Sequence, residues 1–313
     1  MDFSDYRIEE DGLVFCEPCL DFAFFSDAEI SKAEPPDILA PYRVFLEHFG
    51  ARVGYCRTDG DQMHAKRITE ADLEKPALWL ADPKKRARTE LQMELRTGKS
   101  RDEWRAPCLD FNQLKREPQN TYARASIPLE DYAQWGLDGV LDYLSRSLEG
   151  FPLTTGYVGY SFAWNMAKPR VEDAVEPFFH RWLQRHPGIL SNDAGSQARL
   201  SHLGLTDLGW ITLLGPDYAA RMGGVDGLSK ALAHVPEAVV SALGDGVAIR
   251  IGDQPRLGDL VAGDTLPEYQ AVGRVLAPLR NRDSLQRGLV IHGLYDRYSN
   301  TLQSRWIDRF FPG

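Results

Sequence analysis

Apolar positions along the chain recur with two periods, every second residue in some runs and every third or fourth in others, and so predict strands and helices. The most legible stretch covers residues 210–279. Trp210-Ile211-Thr212-Leu213-Leu214 is a compact apolar strand closed by Gly215-Pro216, where a helix can start with proline in its first position. Gly223-Gly224 interrupts that helix, and residues 225–232 resume it. The β-prone runs 239–243 and 247–251 flank Gly244-Asp245-Gly246 and read as a hairpin. After a loop dense in turn formers, Thr265-Leu266-Pro267-Glu268 has the spacing of a capping box. Tyr269, Val272, Leu276 and Leu279 then mark one buried helix face.

Upstream, residues 13–25 predict one long or two short strands around Pro18. Ile38, Tyr42, Phe45 and Phe49 predict a helix stopped by Gly50. Strands follow near 53–57, 91–96, 108–114 and 121–127, with alternation strongest in the last. A helix over 130–148 shares a face between Leu137, Leu141, Leu144 and Leu148, and ends at Gly150 and Pro152. Residues 156–164 read as a strand. Val171, Val175, Phe178 and Trp182 read as a helix with Pro177 in its first turns, stopped by Pro187-Gly188. The polar 191–197 stretch reads as a loop, and Leu302, Trp306 and Phe310 as a docked last helix. The expected class is α+β: two sub-domains, 1–150 and 151–313, with largely antiparallel sheets flanked by amphipathic helices.

Composition narrows the function classes. At 313 residues, 43% hydrophobic and 26% charged, the chain has the make-up of a globular protein able to bury a sizeable core. No apolar run reaches the roughly eighteen residues of a membrane span. The acidic start, Met1-Asp2-Phe3-Ser4-Asp5, lacks the basic and apolar regions of a signal peptide, so a cytoplasmic location is expected. Four cysteines, Cys16, Cys19, Cys56 and Cys108, suit reduced thiols there. Cys16-x-x-Cys19 is half of a zinc pattern without its second half, and Asp59 and Asp61 sit in a turn without the twelve-residue calcium pattern. The net charge of −9 is more telling, because residues 1–50 carry 12 acidic and 3 basic residues while the remainder balances. Such a chain is a poor nucleic-acid binder and a plausible partner for a basic protein. The one basic cluster, Lys84-Lys85-Arg86-Ala87-Arg88, has no interleaved aromatics and reads as a solvated face.

No phosphate loop, dinucleotide fingerprint, zincin helix or nucleophile elbow is present. His180 and His186 lie six apart, off the spacing that gives two ligands a common helix face. His48, His64, His202, His234 and His292 are scattered singly. No catalytic, cofactor-binding or metal residue is assigned, and no cofactor is expected. A Ser-His-Asp set assembled from distant positions keeps open an alternative reading, a cytosolic enzyme or small-ligand-binding protein.

Several pieces, in order, resemble a known family: Tyr42-Arg-x-Phe45, Tyr122-Ala-x-x-Ser126-x-Pro128-Leu129, Gly156-Tyr-Val-Gly-Tyr160, residues 210–224, and Gly246-Val-Ala-Ile-Arg-Ile-Gly252 with Pro255, Gly258-Asp259 and Pro267-x-Tyr269. They resemble the bacterial type VI secretion immunity proteins, once catalogued only as a domain of unknown function. The resemblance implies a cytoplasmic protein that neutralises a cognate toxin, a nuclease with a basic cleft, by stoichiometric binding and without catalysis. It supplies no functional residues. The acidic excess does point to candidates for partner binding, Glu9, Glu10, Asp11 and Asp37.

Overall fold

The structure is a computed structural model that describes residues 3–311 apart from 32–33, 59–64, 102, 116–119, 165–168, 192, 284–285, 287, 292–293 and 295–300. Its first strand, β1 (Ile8–Glu10), turns at Asp11-Gly12 into the fourteen-residue β2 (Leu13–Ser26). Both turn residues have positive φ, 53° and 73°, as a two-residue hairpin of the right twist requires. Residues 13–25 thus form one strand, and Pro18 is tolerated for a definite reason. One edge of β2 is paired by β1 as far as Cys16 and by the strand over 120–128 from Cys19 onward. Pro18 falls in the gap, where no ladder bond is lost on that side.

In chain order there follow α1 (Ala40–Phe49), β3 (Tyr55–Thr58), β4 (Lys66–Arg67), α2 (Glu70–Ala81), α3 (Pro83–Arg88), β5 (Leu91–Thr97), β6 (Arg105–Leu114), β7 (Asn120–Pro128), α4 (Leu129–Ser147), β8 (Thr155–Trp164), α5 (Pro169–Arg185), α6 (Ala194–Leu200), β9 (Ile211–Leu214), α7 (Pro216–Arg221), α8 (Gly224–Ala231), β10 (Ala238–Leu243), β11 (Gly246–Ile251), α9 (Pro267–Leu276) and α10 (Thr301–Ile307). Among the described residues the strands form one eleven-stranded sheet in the order β10-β11-β9-β8-β2-β7-β6-β5-β3-β4, with β1 beside β2. Every pair of named strands is antiparallel, as the α+β class requires. Each half of the chain supplies a contiguous block of strands. Instead of two separate sheets, the blocks join where β2 bonds to β8 from Cys16–Trp164 to Phe25–Thr155.

Alternation along the strands divides the core. On one face Leu20, Phe22, Phe24, Met93, Leu95, Leu109, Phe111, Ala123 and Ala125 pack with Tyr42, Phe45, Trp79 and Leu144 from α1, α2 and α4. On the other, Phe25, Tyr157, Leu214 and Ile249 pack with Leu228, Tyr269, Val272 and Leu276 from α8 and α9. A third cluster gathers α5 and α10 around Phe162 and Trp164. The tail docks as its spacing predicts, and Arg309 fastens it. Its guanidinium is buried over the Trp306 ring and donates to Pro187 O at 2.7 Å and Asp207 Oδ1 at 2.6 Å.

Several expectations need correcting. Gly136 adopts φ 59°, ψ −162° and breaks α4, so the buried face after it is Val140, Tyr143, Leu144 and Ser147 while Leu141 is exposed. Because α5 begins at Pro169, Pro177 lies in mid-helix, and Phe179 rather than Phe178 faces the core. Residues 194–200 are a helix because the Asp193 side chain accepts from Ser196 N and caps it. Gly50 stays right-handed and leads into a 3-10 turn. The capping box at Thr265 does not form: Leu266 takes the cap position with φ 54°, Pro267 supplies the first turn, and Glu268 pairs with Arg256 instead. In the basic cluster, Arg86 is buried, donating to Ile30 O at 3.0 Å, and the other members stay exposed. Asp59, Asp61, His64 and His292 lie outside the described residues.

Candidate functional site

β7 shows why the second sheet face carries chemistry. Its alternation is real in sequence, yet all nine residues are buried, because the polar ones are covered too. Register sets Arg57 opposite Glu94, Glu94 opposite Asp110 and Asp110 opposite Arg124, a charged row across β3, β5, β6 and β7. Glu94 accepts from Arg57 and Arg96, and the Arg96 guanidinium lies 4.2 Å above the Trp104 ring. Arg124 donates Nε to Asp21 Oδ2 at 2.7 Å and Nη2 to Phe162 O at 2.9 Å. Burial pulls the Arg124 guanidinium down, but Asp21 and the nearby thiols outweigh it and keep the proton on.

Asp110 is the titratable member. Tyr122 donates to its Oδ2 at 3.1 Å and Asn112 to its Oδ1. Burial first, and Glu94 across the strand pair second, still push the carboxyl up to about 7. A carboxyl raised in the folded state stabilises the fold while protonated, below its ordinary value near 4, and loses that contribution as pH rises towards 7. We expect urea denaturation of the wild type to show stability falling by roughly 2–4 kcal/mol between about pH 4 and 7 relative to Asp110→Asn. Parallel pH profiles for the two proteins would refute this.

The cysteines are placed for packing. All four are buried and free, and Cys16 and Cys19, three apart on one strand, enter different clusters on opposite faces. Burial pushes the Cys16 and Cys19 thiols well up and Cys108 up to about 12, so these are poor nucleophiles. His186 is a satisfied core residue. Gly258 O lies 2.6 Å from Nδ1 and can only accept, so Nδ1 carries the proton and Nε2 accepts from the Tyr6 hydroxyl at 2.7 Å. Among the described residues no three His, Cys, Asp or Glu side chains converge as a metal site.

An open concavity lies elsewhere, at the end of the sheet where β2, β9 and the β10–β11 turn finish. It is a groove of about 1140 Å3 between the C-terminal end of α4, the N-terminal end of α7 and that turn. Asp27, Glu149, Asp217 and Asp245 line it, with Arg146 and Arg221. Both arginines are engaged: Arg146 pairs with Glu47, while Arg221 lies 5.1 Å over the Tyr218 ring and donates to Pro278 O at 3.4 Å. Asp27 accepts from the Thr154 hydroxyl at 2.6 Å, and all four acids are exposed. Burial first, then Asp27 and Asp217 among its neighbours, push Tyr218 up to about 12. The groove therefore offers negative charge at an open surface, the chemistry of a cation-attracting cleft.

The structure does not gather the four acidic candidates. Glu9, Glu10 and Asp11 are exposed together on the β1–β2 hairpin. Asp37 sits apart, with its Cβ beside Gly150 at the groove's rim, and pairs with Arg43. Those places belong to opposite ends of β2, roughly 40 Å apart at the rise of a strand. Two of the twelve early acids are taken up inside: Glu17 pairs with Arg105 at 3.2 Å and Asp21 with Arg124 at 2.6 Å. Among the groove acids Asp27 belongs to the acidic first fifty residues, but the four come from distant segments, so the sequence does not bring them together. Their common signal is a turn former close by, as at Glu149-Gly150, Pro216-Asp217 and Gly244-Asp245.

The fold, an antiparallel sheet clad by helices, is shared with a protein of a bacterial secretion system. It aligns with the T6SS protein PA0821 of Pseudomonas aeruginosa with a TM-score of 0.74 at 16% identity, covering 96% of this chain and 83% of that one. At that identity the likeness concerns the fold alone. No curated protein matches the chain. Residues 37–310 match the family described as Type VI immunity for VRR-NUC, and the chain belongs to that family.

Proposed function

We propose that this immunity protein neutralises its toxin, a VRR-NUC nuclease, by binding it directly and stoichiometrically in the cytoplasm, without catalysis and without itself binding nucleic acid. The observation that carries the reading is the family match over residues 37–310. Charge supports it. A nuclease must attract phosphates and so presents a basic surface, while this chain is −9 overall, with exposed acids on the β1–β2 hairpin and in the groove. The buried row on the second sheet face is internally paired and supports the sheet. No helix among the described residues is long and apolar enough to cross a membrane.

The test is reconstitution. Co-expression should rescue cells from a VRR-NUC domain, and the purified pair should form a complex of fixed stoichiometry whose nuclease is silent. Rescue at catalytic ratios, or toxin left chemically altered after the immunity protein is removed, would sink the binding mechanism. Complementary fields speed encounter by about 10- to 1,000-fold. Neutralising Glu9, Glu10, Asp11 and Asp37 together should therefore lower the on-rate and flatten its salt dependence, with a smaller change in off-rate. Stopped-flow association over a salt series reads both, and an unchanged salt slope would place recognition elsewhere.

A further inference from the structure

The two ends of the sheet are built differently. At one, β4 has two residues, Lys66 and Arg67, and both are basic; shortness and positive charge are how proteins keep a sheet edge from recruiting another strand. At the other, β10 runs six residues, Ala-Val-Val-Ser-Ala-Leu, with no charge, proline or bulge, and pairs only with β11 among the described residues. Val239 is 44% exposed, and Ser241 and Ala242 are exposed beside it. The ladder fixes which backbone groups are open. Gly252 N donates to Glu237 O, so Glu237 opposes Gly252 as a hydrogen-bonded pair, and alternation turns the N–H and C=O of Val240 and Ala242 away from β11.

Charge selects the occupant. The uncharged run is bracketed by two exposed acids, Glu237 and Asp245, and Asp245 also lines the groove with Asp217. A second copy pairing antiparallel would bring Glu237 of each copy beside Asp245 of the other. A parallel pair would set each acid against itself. Either arrangement opposes like charges, which destabilises strand pairing. A foreign strand with basic residues at its ends meets no such penalty. We propose that β10 is the docking edge for an extended, basic-flanked segment of the nuclease toxin, which adds a twelfth strand and delivers its positive charge to the groove. This rests on the immunity reading and names the surface that serves it.

Hydrogen–deuterium exchange over residues 238–243, with and without a purified VRR-NUC domain that the chain neutralises, tests the edge directly. The amides of Val240 and Ala242 should slow by at least about tenfold on complex formation. The double variant Val239→Lys/Ser241→Lys, changed only at exposed side chains, should melt as wild type yet bind at least about tenfold more weakly, because lysines guard the edge and repel a basic strand. Unchanged exchange in the complex, or wild-type affinity of the double variant, overturns the proposal and leaves the immunity reading standing. Failure of the wild type to bind any VRR-NUC domain overturns both. Protection that appears in the isolated chain as its concentration rises assigns the edge to a second copy and refutes the toxin strand.

Discussion

Replacing Arg124 with alanine should cost about 3–5 kcal/mol of folding stability, because Asp21 would be left charged and uncompensated in the interior. Asp21 is 1% exposed, and Arg124 reaches both its carboxylate and the Phe162 carbonyl, so one side chain ties β7, β2 and β8 together. Removing both charges is a different perturbation. The double variant Asp21→Asn/Arg124→Met should recover much of the loss, since a neutral polar group facing a methylene stem carries no isolated charge. Chemical denaturation of the two variants decides the matter. An Arg124→Ala protein as stable as wild type would mean that the carboxylate finds water or another donor.

A comparable loss, about 3–5 kcal/mol, is expected for Trp210→Ala. The indole is 1% exposed, meets Tyr132 edge-on at 6.2 Å and donates Nε1 to Gly252 O at 3.2 Å. Truncation opens a cavity beside Tyr132 of α4 and removes one of the two donors to that carbonyl, which keeps Arg250. Ile249→Ala and Leu276→Ala, both fully buried, should each lose about 2–5 kcal/mol. Thermal melts read all three. A variant that melts as wild type but no longer protects cells from the toxin would show that an interface had been mistaken for core.

The elements read correctly from sequence are those whose pattern and punctuation agree. The strand-turn-helix at 211–221, the break at Gly223 and the 238–251 hairpin were legible because apolar runs are bounded by glycine and proline at the positions that turns require. Misreadings came where one residue shifts a helical face or a side chain acts locally. Gly136 rotates the register of α4, and the Asp193 side chain makes a helix of a polar stretch. The β1–β2 hairpin carries the strongest short hairpin signal, Asp11-Gly12, but its first strand is only three residues long. The joining of both halves into one sheet was not legible, because the β2–β8 pairing links residues more than a hundred positions apart and leaves no periodic trace. The groove was invisible for the same reason.

That distant pairing also shapes how the protein is made. As the chain leaves the ribosome, β2 appears before its neighbours β7 and β8, with Phe15, Phe22, Phe24 and Phe25 all bound for the interior. Its neighbour β7 ends at Pro128 and β8 at Trp164. At roughly 5–20 residues per second, synthesis from Ser26 to Trp164 lasts about 7–28 s, during which this long, phenylalanine-rich strand lacks its full set of partners. Loops of this length close slowly and favour transient intermediates. A cell that needs protection at once is therefore better served by a standing pool of finished molecules than by synthesis on demand. Raising β-strand polarity at solvent-facing sites would do little to shorten that delay, whereas a chaperone that holds nascent apolar strands would matter most between the synthesis of β2 and that of β8.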